Sequence, residues 1–369
     1  LARTTAMLEL FVQRYPQPEL DAIEARARLA DLAAKANNPT RRDYWRREII
    51  KADATAGAQR TDRTRFLAAS AQLALAEPAR DAFRAVRLTA PLKKSLVAKK
   101  QAMETALAGY KAVVSYDISS TTTAATYEMA ELYRTLGRDL MASERPAKLS
   151  AEEREQFDAL LEEQAFPFEE QAIAIHEVNA KRALDGVYDE SVRRSFQALA
   201  ELSPARYAKT EAWTELLRTL AAPAEGAVDP KAAAEFAVSV AAALGGKTTE
   251  AILDFELMEQ QYPTMAEPSV NLAIVQRGAG NLDAAAAALQ RATERAPGYA
   301  VAWNELGLVR RAQGKFTDAK AAYTKAIAVD AGYAPTHRNL GVLLDLYLAD
   351  PTAALAEFEQ YRKLTGEDK

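Results

Sequence analysis

Apolar residues return at helical spacing, three or four positions apart, through almost the whole of this 369-residue chain. The pattern is sharpest between residues 230 and 366, where the same side chains come back every 34 residues. Leu306, Gly314, Ala319, Tyr323 and Ala326 step back onto Leu272, Gly280, Ala285, Leu289 and Ala292. A second step back reaches Gly246, Ala251, Phe255 and Met258, with Pro263 closing the unit as Pro297 closes the next. One step forward reaches Leu340 and Gly341, then Ala354, Phe358 and Tyr361, displaced by one, so the last turn carries an inserted residue. The spacing predicts four helix pairs, at 230–263, 264–297, 298–331 and 332–366. Such pairs cannot bury their apolar faces alone and must stack on their neighbours. Gly307 and Ala319 are small so that facing helices can approach. Gly314 supplies the left-handed residue that ends a helix.

The first 229 residues keep the helical spacing but lose the period. They predict helices over 2–15, 19–36, 41–55, 61–76, 78–88, 91–116, 121–143, 151–165, 168–184, 188–202 and 205–221. Pro78 and Pro91 stand where first-turn prolines are tolerated. Pro167, between Phe166 and Phe168, removes a helix donor and predicts a break or kink. Ser150 with Glu153 has the spacing of a capping box. The run from Tyr116 to Thr123, rich in hydroxyls, predicts a loop and N-cap between two long helices. The alternative for that run is a polar recognition loop flanked by Tyr110, Tyr116 and Tyr127. The chain is expected to divide into an irregular helical region of similar hairpins, 1–229, and a four-repeat domain, 230–369. Leu8, Phe11, Tyr15 and Pro16 read as the end of the second helix of a pair. The irregular region is therefore expected to start in mid-repeat, with further repeats and a targeting segment upstream.

Trp303-Asn304-Glu305-Leu306-Gly307, followed by Ala319, Tyr323 and Ala326, carries most of the signature of a tetratricopeptide repeat (TPR). Residues 230–366 resemble TPR solenoids. The opening stretch LFVQRYPQPELDAIEARARLADL resembles helix pairs of bacterial cell-envelope TPR proteins related to the Tol-Pal and gliding systems. Two further stretches, YDISSTTTAATYEMAELYRTLGRDLMASERP and LLEEQAFPFEEQAIAIHEVNAKRALDGVYDESVRRSF, resemble proteobacterial TPR proteins associated with TonB/ExbB/ExbD-type systems. These resemblances imply an all-α protein, an α-solenoid of TPR and TPR-like helical hairpins. They also imply a periplasmic scaffold working with envelope energy-transducing machinery, and they bring no catalytic residues with them.

Composition narrows the function further. The chain has no cysteine and two histidines, which removes disulfides and thiolate metal sites and suits an exported protein. Its net charge of −4 lacks the basic bias of a nucleic-acid binder. No stretch approaches the ~20 apolar residues of a membrane span. His176-Glu177 has no second histidine one turn away, so the zinc-protease helix motif fails. No Glu stands three residues before His176 or His337, as a di-metal carboxylate bundle requires. His337 occupies the repeat position of Trp303, which assigns it to packing between helices. The glutamates at 152, 153, 155, 162, 163, 169 and 170 read as a solvated helix face. No cofactor, metal or catalytic residue is expected.

In stacked repeats the first helix of each pair lines the concave face. The alignment places Val270, Asn271, Ile274 and Arg277 there, then Asn304, Glu305, Leu308 and Arg311, then Arg338, Asn339, Val342 and Asp345. An Asn amide can pair with both polar groups of an extended peptide backbone, and Arg can grip a carboxylate. Asn271, Arg277, Asn304, Arg311, Arg338 and Asn339 are therefore the candidate partner-binding residues. The lysines of a clamp for a C-terminal carboxylate are missing. The leading expectation is a non-catalytic scaffold for proteins or peptides in the periplasm or envelope. A cytoplasmic TPR adaptor or co-chaperone is the first alternative. An all-α enzyme with regulatory repeats is the second.

Overall fold

The computed structural model describes residues 2–17, 19–146, 149–220 and 227–367. All regular structure among them is helical. They form two compact units, one of residues 1–180 with 189–204, the other of residues 181–188 with 205–369.

The first unit contains α1 (Ala2–Arg14), α2 (Glu19–Lys35), α3 (Pro39–Thr55), α4 (Asp62–Ala85), α5 (Leu92–Val114), α6 (Ser119–Met141), most of α7 (Ala151–Lys181) and α8 (Glu190–Leu202). One core of this unit joins Ala76 and Phe83 of α4 to Met103, Ala106, Leu107 and Tyr110 of α5 and Leu132, Leu136 and Leu140 of α6. Lys99 is buried in α5, where its ammonium meets the Asp139 carboxylate (2.6 Å) and the carbonyls of Val86 (2.7 Å) and Phe83 (3.2 Å). The expected capping box is present: Ser150 Oγ accepts the Glu153 N–H and Glu153 accepts the Ser150 N–H.

Three sequence expectations fail here. The helices expected at 61–76 and 78–88 are one, α4, and those at 151–165 and 168–184 are one, α7. Pro78 and Pro167 are both exposed, so the hydrogen bond each removes lies on the wet side, where water replaces it. Buried residues on both sides, Ala76 and Phe83 in one case and Ala165 and Ala172 in the other, keep each helix anchored through its proline. The expected loop between the two long helices is present at residues 115–118, but the hydroxyl run supplies no cap. Thr121, Thr122 and Thr123 are buried in the first turn of α6, and that helix has no side-chain cap.

Thr123 belongs to a buried polar network that sequence reading missed. Thr123 donates to Asp189, Asn179 donates to Ser195 Oγ (2.9 Å), and His176 lies between Ser195 Oγ (3.3 Å from Nδ1) and Glu131 (3.3 Å from Nε2). Ser-His-Glu in a row has the order of a nucleophilic relay. Here Ser195 and His176 are fully buried, and the Ser195 hydroxyl has the Ser191 carbonyl as an acceptor at 3.0 Å. The network joins α6, α7 and α8.

Besides residues 181–188, the second unit takes in the single turn α9 (Pro204–Tyr207) from residue 205 onward and four hairpins. These are α10 (Pro230–Leu244) with α11 (Thr248–Gln261), α12 (Glu267–Gly278) with α13 (Leu282–Arg295), α14 (Ala300–Ala312) with α15 (Phe316–Val329), and α16 (Ala334–Leu346) with α17 (Pro351–Thr365). Each falls inside its expected repeat. Gly246, Gly280 and Gly314 turn the first three hairpins with φ of 75°, 82° and 76°. In the fourth, Ala349 takes the left-handed turn at φ 51°, one residue past the glycine register, as the insertion required. Gly307 faces Tyr323 so closely that a Cβ would lie 2.4 Å from the ring. The Trp303 indole donates to the Pro297 carbonyl (2.9 Å), and His337 Nε2 donates to the Ala331 carbonyl (3.0 Å) one period later. His337 thus does the packing job that its register assigned.

The first two hairpins are also clamped by charge. Glu259 of α11 accepts from Arg291 (2.8 and 3.1 Å) and Arg295 (3.0 Å) of α13 and from the Ser269 hydroxyl of α12. Burial pushes the Glu259 carboxyl up, but the bonds from Arg291 and Ser269 and the charges of both arginines outweigh it and hold the pKa below the ordinary range. A depressed carboxylate stabilises the fold at pH above its unfolded value, and that contribution is lost as pH falls through the folded value. Urea midpoints measured from pH 7 to pH 3 should therefore fall less steeply for Glu259→Gln than for the parent. Parallel curves would remove Glu259 from the acid response.

Candidate interaction groove

The first helices α12, α14 and α16 line one face of the hairpin stack, and an extended segment of the same chain lies across it. Sequence spacing predicts a helix over 205–221, but after Tyr207 the described residues are non-helical through Leu220. The main-chain groups of this strap turn to groove side chains rather than to each other. Asn339 Oδ1 accepts the Ala212 N–H (2.7 Å) and its Nδ2 donates to the Ala212 carbonyl (3.0 Å). Asn271 does the same at Leu217, with both bonds at 2.8 Å. Between them Glu305 accepts the Thr214 N–H (3.0 Å). Arg338 donates to the Thr210 carbonyl (2.9 Å) and to its hydroxyl (3.0 Å).

Alternate strap side chains answer groove charges, as the two-residue period of an extended chain requires. Lys209 pairs with Asp345 (2.8 Å). Glu211 forms an ion pair with Arg311. Trp213 lies under the Arg277 guanidinium at 4.1 Å, with Arg311 at 5.8 Å. The strap runs from the fourth hairpin towards the second, antiparallel to the order of the repeats.

Of the six candidate residues, Asn271, Arg277, Arg311, Arg338 and Asn339 touch the strap directly. Asn304 does not. It is fully buried and braces the others, donating to Glu305 (3.3 Å) and accepting from Asn339 (3.0 Å). Val270, Leu308 and Val342 from the same helices are buried beneath. Glu305 is 1% exposed and pairs with Arg277 at 3.1 Å. Burial dominates both partners: it raises the Glu305 carboxyl against the pull of Thr214 and Arg277, and it lowers the Arg277 guanidinium. A carboxylate held this way is a poor place for a second anion and a good acceptor for a peptide N–H.

Sequence reading missed Lys209, Glu211 and Trp213 as groove partners. Their alternation was the available signal, but it spans only three side chains inside a stretch of good helix formers. It also gave no role to residues 181–188. The Tyr188 ring packs edge-on against Phe316 (5.1 Å) and Tyr347 (6.0 Å), and a Cβ on Gly314 would meet it at 2.7 Å.

No helix among the described residues is long and apolar enough to cross a membrane, and no group of three or more metal-ligating side chains occurs among them. No curated protein sequence matches the chain. Among solved structures it is similar to residues 41 to the end of MamA from Desulfovibrio magneticus RS-1, at 20% identity over 53% of this chain and 97% of that one, with a TM-score of 0.34. YrrB, described as a TPR protein with an unusual peptide-binding site, is 16% identical over 57% of this chain and 84% of its own, with a TM-score of 0.33. A thermophilic TPR protein from Thermus thermophilus, TTC0263, gives 17%, 54%, 93% and 0.33 in the same order. The family model for the tetratricopeptide repeat matches residues 300–333, which are α14, its turn and α15, and so identifies the third hairpin as a tetratricopeptide repeat.

Proposed function

We propose that this chain is a non-catalytic scaffold that binds an extended segment of another protein along the groove of α12, α14 and α16, within a bacterial periplasmic or cell-envelope complex. One observation carries the binding mode: Asn271 and Asn339 each satisfy both the N–H and the carbonyl of one residue in an extended chain. That is sequence-tolerant main-chain recognition by preorganised groups, which stacked helices supply without an ordering cost on binding. The charged side chains between the asparagines add selectivity. The envelope setting, with energy-transducing machinery of the TonB/ExbB/ExbD type as partner, rests on the resemblance of residues 110–200 and on the absence of cysteine.

Capture from the native envelope fraction, read by mass spectrometry, tests this reading. The triple variant Asn271→Ala, Arg311→Ala, Asn339→Ala should recover at least tenfold less of each specific partner than the parent. Equal recovery by both proteins rejects the groove as the site. Partners that come only from the cytosolic fraction reject the envelope setting.

A further inference from the structure

The strap is a resident occupant of the groove, and its contacts state what an external occupant must look like. It presents, in order, an acidic residue to Arg311 (Glu211), a small residue between the Asn339 amide contacts (Ala212), an aromatic ring to Arg277 (Trp213), an N–H to Glu305 (Thr214) and, three residues later, an apolar residue whose main chain pairs with Asn271 (Leu217). Ala212 is the small residue of the pattern, and Asn339 takes both its N–H and its carbonyl, at 2.7 and 3.0 Å.

The strap also has the character of a displaceable segment. No residue from 208 to 219 is buried, whereas Asn271, Asn304, Glu305 and Asn339 beneath it are. Its main chain is held by side chains of the groove, and Leu217, itself only partly buried, packs against the repeat core. Lifting it would uncover mainly polar amides, a carboxylate and guanidiniums, which water or another peptide can satisfy, and the one apolar contact of Leu217. Segments with few buried apolar contacts open first. The strap is joined by its own chain to α9 on one side and leads towards α10 on the other, so it competes at the high effective concentration of a short tether, on the order of millimolar.

We propose that the groove is gated by residues 209–217 and that its partner is a protein segment with the strap's own pattern, acidic–small–aromatic–Thr–x–x–Leu, bound in the same direction from the fourth hairpin to the second. This rests on the reading of the groove as a peptide-binding surface and adds the partner's chemistry and the gate. The gate is autoinhibitory: a partner binds only by displacing the strap.

The test uses the whole protein and a labelled peptide of residues 208–219, followed by fluorescence anisotropy. Three proteins are compared: the parent, the single variant Glu211→Lys, and the triple variant Lys209→Ser, Glu211→Ser, Trp213→Ser. A second peptide carries Lys in place of its Glu211 and Ser in place of its Trp213. Both variants should bind the strap peptide about 30-fold or more tighter than the parent does, because the tethered competitor is weakened. The triple variant should bind the second peptide at least tenfold more weakly than the first. Equal binding by parent and variants overturns the gate. Equal binding of both peptides overturns the side-chain pattern while the main-chain groove stands. Binding of neither peptide by variants that keep the parent's helical circular dichroism overturns the groove reading itself. Loss of cooperative helical unfolding in both variants shows the strap to be a permanent member of the stack and overturns the gate.

Discussion

Replacing Asn271 and Asn339 together by Ala will release the strap while the four hairpins stay folded. Each amide makes two hydrogen bonds to strap main chain, four in all, at 2.7–3.0 Å. An intramolecular hydrogen bond contributes about 1 kcal/mol net, and more when its loss strands a buried partner. Water can reach the half-buried strap, so its N–H and carbonyl groups are not stranded, and the lower figure applies. The strap should lose roughly 2–4 kcal/mol of closing free energy. At about 1.4 kcal/mol per tenfold, amide exchange at Ala212 and Leu217 should accelerate by about 30-fold or more. Trypsin should cut after Lys209 and Arg218 in the variant well before the parent. Protection in the buried turns of α14 and α15 should change little, because the Gly307–Tyr323 contact stays and the one bond α14 loses is that from Asn339 to Asn304. Unchanged exchange at both strap amides would show that the contacts of Lys209, Glu211, Trp213, Glu305 and Arg338 suffice to hold the segment.

The sequence showed the repeats and hid the strap, and the reason is physical. A TPR hairpin is specified by small and aromatic residues at fixed offsets, such as Gly307 opposite Tyr323, and those offsets survive in the letters. The six groove residues followed from the same register, since residues on one helix face recur every three or four positions. The strap has no such register. Lys209 to Arg218 contains Ala, Glu, Leu and Arg, whose local preference is helical, and only groove side chains taking up its main-chain groups override that preference. Propensity is a weak prior of a few tenths of a kcal/mol per residue. A handful of long-range hydrogen bonds is enough to reverse it. The buried His176 and Ser195, and the half-buried Glu131 beside them, were invisible for a related reason: they come from α7, α8 and α6, and no spacing in the sequence brings three helices together. Pro78 and Pro167 misled in the opposite sense, because their effect depends on whether the missing hydrogen bond faces core or water.

Two glycines on equivalent helices will respond to alanine with opposite signs. Alanine is favoured over glycine inside a helix by about 0.8–1 kcal/mol, so a helical glycine with free space around it should be improvable. Gly278, the last residue of α12, has nothing within 4 Å of a Cβ, and Gly278→Ala should raise stability by about 0.5 kcal/mol at that frayed position. Gly307 in α14 is different. A Cβ there would lie 2.4, 2.5 and 2.8 Å from three atoms of the Tyr323 ring. Tyr323 is fully buried, so the ring has nowhere to go without moving α15. Overpacking of this kind costs typically 1–3 kcal/mol, and this contact lies at the severe end. The clash therefore wins over the helix gain, and Gly307→Ala should lose roughly 2 kcal/mol, a fall in Tm of about 4–8 °C for a unit of this size. Gly341 separates steric closeness from confinement. Its Cβ would meet the Phe358 ring at 2.6 Å, almost as close, yet Phe358 is only half-buried and can swing outward. The clash is then relieved by rotation, and Gly341→Ala should come out near neutral. Thermal or urea midpoints of the three variants decide the matter. An order other than 278 above 341 above 307 would mean that the mobility of the facing ring does not set the sign.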